Sequence, residues 1–319
     1  MAGRKGDISG PDSSRTSLRV VLAMLGMVAL PAALTLMTVR GPARPDALAA
    51  NLSPYGYTVS LLLFVVPIVV IAFWLAPREE VKISKKAFVR TLLLLVPMGL
   101  GLDFFFGRLF FTFPNPGATL RITAPAFGGG VPIEEYVFYC AGFTAVLLMY
   151  IWLDEYWLAA YSVRSDARER AAFDRLLRFH LQSVVWAVLL IGAAITYRRV
   201  FVAEPGFPGY FIFLVIGAFG PSAGLLPSAM PVINWRALSL TMFIILLTSL
   251  LWEATLGLPY GWWGFQDAEM VGIRITAWNR LPVEEVCLWV AVTYATVIVY
   301  EIVRRWQASG KKLWHALVG

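Results

Sequence analysis

The chain has 319 residues, 59% of them hydrophobic and 15% charged, with a mean hydropathy of +0.69. A soluble domain of this length would expose too much apolar surface to water, which leaves an integral membrane protein as the class. The net charge of +7 is accounted for by membrane topology and contact with anionic lipid, and it implies no nucleic-acid partner.

Hydropathy marks about eight segments near the ~20 residues needed to cross ~30 Å of hydrocarbon. In chain order they run roughly over 19–39, 57–76, 87–107, 132–152, 180–197, 209–230, 237–257 and 282–303. Residues 1–18 read as a disordered cytoplasmic tail carrying Arg4, Lys5 and Arg15. The apolar run that follows is about 20 residues, longer than the core of a signal peptide, so it is expected to be a retained first helix. Gly and Pro interrupt the sixth segment around 206–227. Residues 157–179 are charged and carry Trp157, Tyr161, Phe173, Leu176 and Leu177. They suit an amphipathic cytoplasmic linker helix or a solvated charged loop. Residues 304–319 read as a basic cytoplasmic tail. The tails and the loops expected on the same side hold 19 of the 27 Lys and Arg, so the positive-inside rule puts both termini in the cytoplasm. The two cysteines, Cys140 and Cys287, fall inside predicted helices and imply no disulfide framework.

The chain repeats itself. Glu134-Glu135 follows Val131-Pro132-Ile133, and 150 positions later Glu284-Glu285 follows Leu281-Pro282-Val283. At the same offset Asp103 falls on Glu253, Gly107 on Gly257, Lys86 on Arg236 and Tyr150 on Tyr300. With a shift of three, Arg121-Ile122-Thr123 falls on Arg274-Ile275-Thr276, and Gly56-Tyr57 on Gly209-Tyr210. Acid on acid, base on base and Gly on Gly are poorly explained by chance, so a duplication is read here. The expected fold is all-α: about eight transmembrane helices in two parallel four-helix repeats, 19–156 and 180–303, related by an axis along the membrane normal.

Carboxyls inside a bilayer are costly and are functional-site candidates by default. A Pro-x-Glu-Glu motif also has a plain reading, because Pro suits the first helical position and Glu the positive end of the helix dipole. The second copy weighs against that reading, as do Asp103 and Glu253, each 31 residues before its Glu pair and on the same expected side. Six acids would then gather at one depth. Only His180 and His315 are available as imidazoles and no Gly-x-Gly-x-x-Gly fingerprint is present, so no metal and no cofactor is expected. Cofactor-free acid–base chemistry remains, in which one carboxyl of a crowded set keeps a proton and another does not. Tyr139 and Trp289 stand at i+4 from Glu135 and Glu285, on the same helix face, where their rings could hold a cation or form part of an interfacial aromatic belt. The belt reading is preferred for Phe110, Phe111, Phe113, Tyr260, Trp262 and Trp263. Arg121 and Arg274 either pair with an acid or meet lipid headgroups.

Taken together, Trp252-Glu253, Trp263-Gly264-Phe265, Gly272-Ile273-Arg274-Ile275 and Leu281-Pro282-Val283-Glu284-Glu285 resemble the membrane-integral lycopene cyclase domain. The first copy resembles it through Asp103-Phe104, Arg121-Ile122 and Val131-Pro132-Ile133-Glu134-Glu135. The resemblance covers about 55–155 and 208–303, as in the fused tandem form of the heterodimeric-type carotenoid cyclases. An extra helix precedes each three-helix core, and no phytoene synthase region is present. The resemblance implies a cofactor-independent carotenoid cyclase of the isomerase type that closes linear ψ ends to β-rings. Glu134, Glu135, Glu284 and Glu285 carry over as its functional acids, with Asp103 and Glu253 upstream. Tyr139, Trp289, Arg121 and Arg274 are the expected substrate contacts. The implied partners are a lipophilic carotenoid or other isoprenoid, membrane lipid and other carotenoid-synthesis enzymes, in a bacterial cytoplasmic membrane. The competing expectation is a non-catalytic membrane protein, either a proton-coupled transporter or an isoprenoid or pigment binder.

Overall fold

Helices that satisfy their own backbone are one of the two ways to cross hydrocarbon, and the computed structural model is built mainly from them. It describes residues 54–75, 84–162, 180–310 and 312. The expected tail at 1–18, the expected span at 19–39 and the linker beyond Ser162 lie outside the described residues, as does the end of the chain from 313.

The helices are α1 (Gly56–Leu75), α2 (Lys85–Phe110), α3 (Ile133–Trp152), α4 (Gln182–Phe201), α5 (Gly209–Leu214), α6 (Gly220–Ala229), α7 (Trp235–Trp252) and α8 (Val283–Ser309). A π-helical turn, Val215–Phe219, joins α5 to α6, so the segment interrupted by Gly217, Gly220 and Pro221 still forms one membrane-length run. Among the described residues seven runs are long and apolar enough to span a bilayer. Among the described residues the exception to all-α character is three antiparallel pairs of two-residue strands. They are β1 (Phe111–Thr112) with β4 (Gly264–Phe265), β2 (Thr123–Ala124) with β3 (Val131–Pro132), and β5 (Arg274–Ile275) with β6 (Leu281–Pro282).

These short pairs decide where the Glu-Glu helices begin. Pro132 and Pro282 are the last residues of β3 and β6, with ψ of 141° and 143°, and serve as N-caps. The expected placement at the first helical position is one residue off, because each proline is held extended by pairing with Thr123 or Arg274. The helix then starts at Ile133 or Val283 and puts both glutamates in its first turn.

α3 and α8 lie at the centre. Each packs against the other, and each also packs against both α2 and α7. That crossing brings the acid-bearing ends of four helices together. α1 lies outside, against α3, with an almost wholly apolar exposed face, and α4 covers α5 and α6.

At the opposite end of α3 and α8 the expected basic tail begins later than the sequence suggests. α8 continues through Ser309 and stops at Gly310, whose φ of 63° suits a left-handed helix end. The two extra turns are retained because Arg304 is needed inside: it pairs with Asp154 (3.5 Å), Glu155 (2.9 Å) and Glu301 (3.3 Å). Tyr150 donates to Glu301 at 2.9 Å, and Asn234 donates to Asp154 at 3.0 Å. Replacing Arg304 by Met takes a shared cation away from three inward acids, and breaking a buried pair from one side costs about 3 kcal/mol or more. A lowered thermal unfolding midpoint in detergent is expected for Arg304→Met, with partial recovery in Arg304→Lys.

Candidate functional site

The second glutamate of each pair and the first play different parts. Glu135 and Glu285 face a cavity of about 30 Å³ whose walls also include Glu253, Tyr57, Tyr139, Tyr210, Trp252 and Trp263. Glu134 and Glu284 turn back to the preceding loops. Glu134 accepts from the Leu120 N–H (2.7 Å) and from Thr58 Oγ1 (2.5 Å), and Glu284 accepts from the Val271 N–H (2.5 Å). All four are buried. One turn of helix therefore supplies a loop anchor and a cavity acid from neighbouring positions, twice.

The cavity acids are held by aromatic donors. Tyr57 donates to Glu135 at 2.8 Å and Trp289 Nε1 to Glu253 at 2.7 Å. Tyr210, 153 positions after Tyr57 in the sequence, faces Glu285 without completing a well-formed hydrogen bond. Glu253 and Glu285 are in hydrogen-bonding contact with each other. An ionised carboxylate only accepts, so a bond between two carboxyls needs a proton on one of them. Glu135 interacts electrostatically with Glu253 on one side and with Asp103 on the other. The four acids form one chain, Asp103–Glu135–Glu253–Glu285. Asp103 is fully buried, and neither of its oxygens has a hydrogen-bond partner.

The sequence-expected residues thus separate. Asp103, Glu135, Glu253 and Glu285 come together, with Tyr139 and Trp289 among them. Glu134 and Glu284 lie one position away, in the loop anchors. Arg274 is in the loop before α8, paired with Asp267 and within electrostatic reach of Glu284. Burial pushes its guanidinium down from the usual range, against the opposing pull of Asp267. Arg121 is exposed, with φ of 60°, and is not brought to the cavity.

The aromatic-belt reading is corrected for four residues. Phe110, Phe111, Trp262 and Trp263 are buried, and Phe111 and Trp263 line the cavity. The reason is the β1–β4 pairing, which ties the loop after α2 to the loop after α7 over the acids. Tyr260 remains substantially exposed. Trp263 lies flat on Gly257, where any Cβ would collide with its ring. Tyr57, Trp252 and Trp263 then form a cage, with ring centroids 4.8–6.0 Å apart. Trp252 is fixed by its own bond to Ser60 at 2.6 Å.

Sequence reasoning missed Tyr57, Tyr210, Phe138, Trp252 and Trp263 as site residues. The signal for the tyrosines was present in the Gly-Tyr repeat at 56–57 and 209–210. It also missed Arg198, buried at the end of α4 beside Gly206 and Gly272, which acts on Glu284 and Glu269. Burial pushes the Glu269 carboxyl up, and Arg198 opposes that shift.

Chemically, two carboxyls placed to share a proton stand next to a third that accepts from Tyr57, under aromatic faces in a buried cavity. Such a set can deliver a proton to an apolar group, hold the cation that forms and take a proton back. Among the described residues no group of three or more His, Cys, Asp or Glu is arranged to hold a metal ion. Comparison of the chain with protein-family models, curated proteins and solved structures found no match.

The loop-anchor role has a direct check. Glu134→Ala and Glu284→Ala leave the N–H of Leu120 or Val271 without its acceptor, a loss of about 1–3 kcal/mol. Faster amide exchange is expected in the loop at 114–124 for the first and 266–276 for the second. The Gln variants, which keep an acceptor oxygen, should exchange close to the unmodified protein.

Proposed function

We propose that the chain is a cofactor-independent cyclase of the membrane lycopene cyclase kind, closing the ψ ends of a linear carotenoid to β-rings. The observation that carries this reading is the convergence of Glu135, Glu253 and Glu285 on one cavity caged by Tyr57, Trp252 and Trp263. In the proposed reaction the Glu253–Glu285 pair gives its shared proton to the terminal alkene of the substrate. The resulting tertiary cation is attacked by the neighbouring double bond, which closes the ring and moves the positive charge onto a ring carbon. Glu135, whose carboxyl accepts from the Tyr57 O–H, removes the adjacent proton. One proton enters and one leaves, nothing is oxidised, and product and substrate are isomers. Return of that proton from Glu135 to its neighbour Glu253 restores the donor pair, with Asp103 standing behind Glu135 at the other end of the chain of acids. Each ring face over a desolvated cation contributes about 0.5–2 kcal/mol.

The topology that goes with this reading has eight spans, the first at 19–39, in two parallel four-helix repeats with both termini cytoplasmic. Its setting is a bacterial cytoplasmic membrane. Three matched pairs support the duplication: Tyr57–Glu135 beside Tyr210–Glu285, the loop anchors Glu134 and Glu284, and the strand pairs β2–β3 and β5–β6 that open α3 and α8. The transporter alternative has less support, because the second polar cluster of α3 and α8 is closed by the ion pairs of Arg304.

Expression in a host that accumulates lycopene, followed by pigment chromatography, tests the reading. Glu135→Gln and Glu285→Gln should lower cyclised product by about 10²–10⁴-fold at matched protein level, the range for a lost general acid or base. Glu134→Gln should stay within roughly tenfold of the unmodified chain, because an amide oxygen still anchors the loop. Unchanged lycopene from well-expressed, folded protein would overturn the assignment.

A further inference from the structure

The acid cavity, at about 30 Å³, has room for roughly one water-sized group. No hydrocarbon chain fits it whole, so any long substrate must keep nearly all of its length elsewhere. A second hollow, of about 230 Å³, lies between α1, α3 and α7. Phe138 and Trp252 belong to the walls of both, stacked with centroids 5.8 Å apart. Trp289, the donor to Glu253, also lines the larger hollow. The acids and the hollow are therefore separated by a partition of aromatic rings.

The chemistry of the hollow is nearly uniform. Apart from the indole N–H groups, only Thr248 and Ser249 bring polar side chains to its lining. Its floor is kept open by small residues on successive turns of α3, Gly142 and Ala145, with Met149 at the far end. From Phe138 to Met149 the helix rises about 16 Å, roughly half the ~30 Å thickness of a hydrocarbon core. The α1 side chains at its rim include Leu63 and Ile71, both exposed on an apolar helix face. The mouth therefore opens toward lipid tails and not toward water.

We propose that this groove binds the tail of a linear isoprenoid hydrocarbon taken sideways from the bilayer, and that it presents one end at a time to the acids past Phe138 and Trp252. The proposal rests on the acid–base reading above and adds to it the route, the length of chain held and the order of events. A groove covering about half the bilayer leaves the far end of a long substrate in lipid. Both ends of a symmetric chain then cannot react in one binding event. Gly142 and Ala145 are the specificity-determining positions, since any larger side chain there fills the channel. A Cβ on Gly142 would sit 3.8 Å from the Trp289 ring, an ordinary contact, so the helix tolerates a side chain at that point.

Photo-crosslinking tests the groove without requiring turnover. The full chain in phosphatidylcholine nanodiscs would be labelled with a linear polyisoprenoid hydrocarbon carrying a diazirine, and the labelled peptides mapped by mass spectrometry. Saturable labelling within 138–149 and 244–252 is expected, competed by the untagged hydrocarbon. It should fall on the order of tenfold in Gly142→Leu or Ala145→Leu, equivalent to ~1.4 kcal/mol of binding. Either variant suffices if the other fails to fold. Saturable groove labelling by a protein that cyclises nothing would uphold the site and remove the ring-closure reading. Labelling that does not saturate marks a crevice filled by phospholipid and overturns the proposal. So does labelling on lipid-facing helices alone, or labelling undiminished in the folded variants, even if ring closure occurs.

Discussion

Four carboxyls held together in a space closed to bulk water are the constraint on which the rest of this protein depends. Two like charges about 4 Å apart repel by ~4 kcal/mol at an effective dielectric near 20. A hydrogen bond to a charged group returns only about 1.5–3 kcal/mol, so donors alone cannot hold such a cluster fully ionised. Sharing protons within it removes the repulsion at its source. The approach of Glu253 to Glu285 is the place where such sharing fits. The Tyr57 and Trp289 donors then sort the remaining oxygens into acceptors. A cluster arranged this way is poised between protonation states, which is the property an acid–base catalyst needs.

The scaffold is built around that cluster. Glutamates in the first turn of α3 and α8 are favoured by the helix dipole, and placing two in sequence gives one to the loop and one to the cavity. The strand pairs that end at Pro132 and Pro282 fix where each helix begins, and so fix which glutamate points where. A one-residue slip in either pairing would rotate the first turn by about 100°, moving one glutamate into the other's place and a neighbouring non-acidic residue into the position left empty. This makes the loops before α3 and α8, short as their strands are, part of the site. The Arg304 cluster sets the other end of the same two helices, so α3 and α8 are pinned by buried polar groups at both ends, with apolar packing between.

Much of this was legible in the sequence because bilayers impose simple rules. Seven of the eight expected spans coincide with helical runs to within a few residues, except where α8 continues to Ser309; the eighth lies outside the described residues. The four acids that meet were found from spacing alone, since an acid in an apolar run has few ordinary explanations. What could not be read was the division within each Glu pair, because it depends on strand register and not on composition. The aromatic residues were misread for a related reason. Trp262 and Trp263 at the end of an apolar segment look like a headgroup belt until the β1–β4 pairing turns their loop inward. Tyr57 and Tyr210 were visible as a repeat but unassigned, since a tyrosine near a membrane surface has an ordinary role.

The two halves do not contribute equally. The acid of the first half that matches Glu253 is Asp103, shorter by one methylene, buried behind Glu135 and without a hydrogen-bond partner. The residue that matches Trp289 is Tyr139, which lines the cavity but makes no counterpart of the bond to Glu253. Two equivalent half-sites would place two protonated pairs across an axis and leave no group committed to accept a proton. On the proposed reading, divergence at these positions breaks the equivalence: one half would hold the donor pair, and the other an acceptor with a further acid beside it. On the duplicated reading, donor and base arise from the same ancestral turn of helix. Their opposite tasks follow from a methylene and an indole N–H.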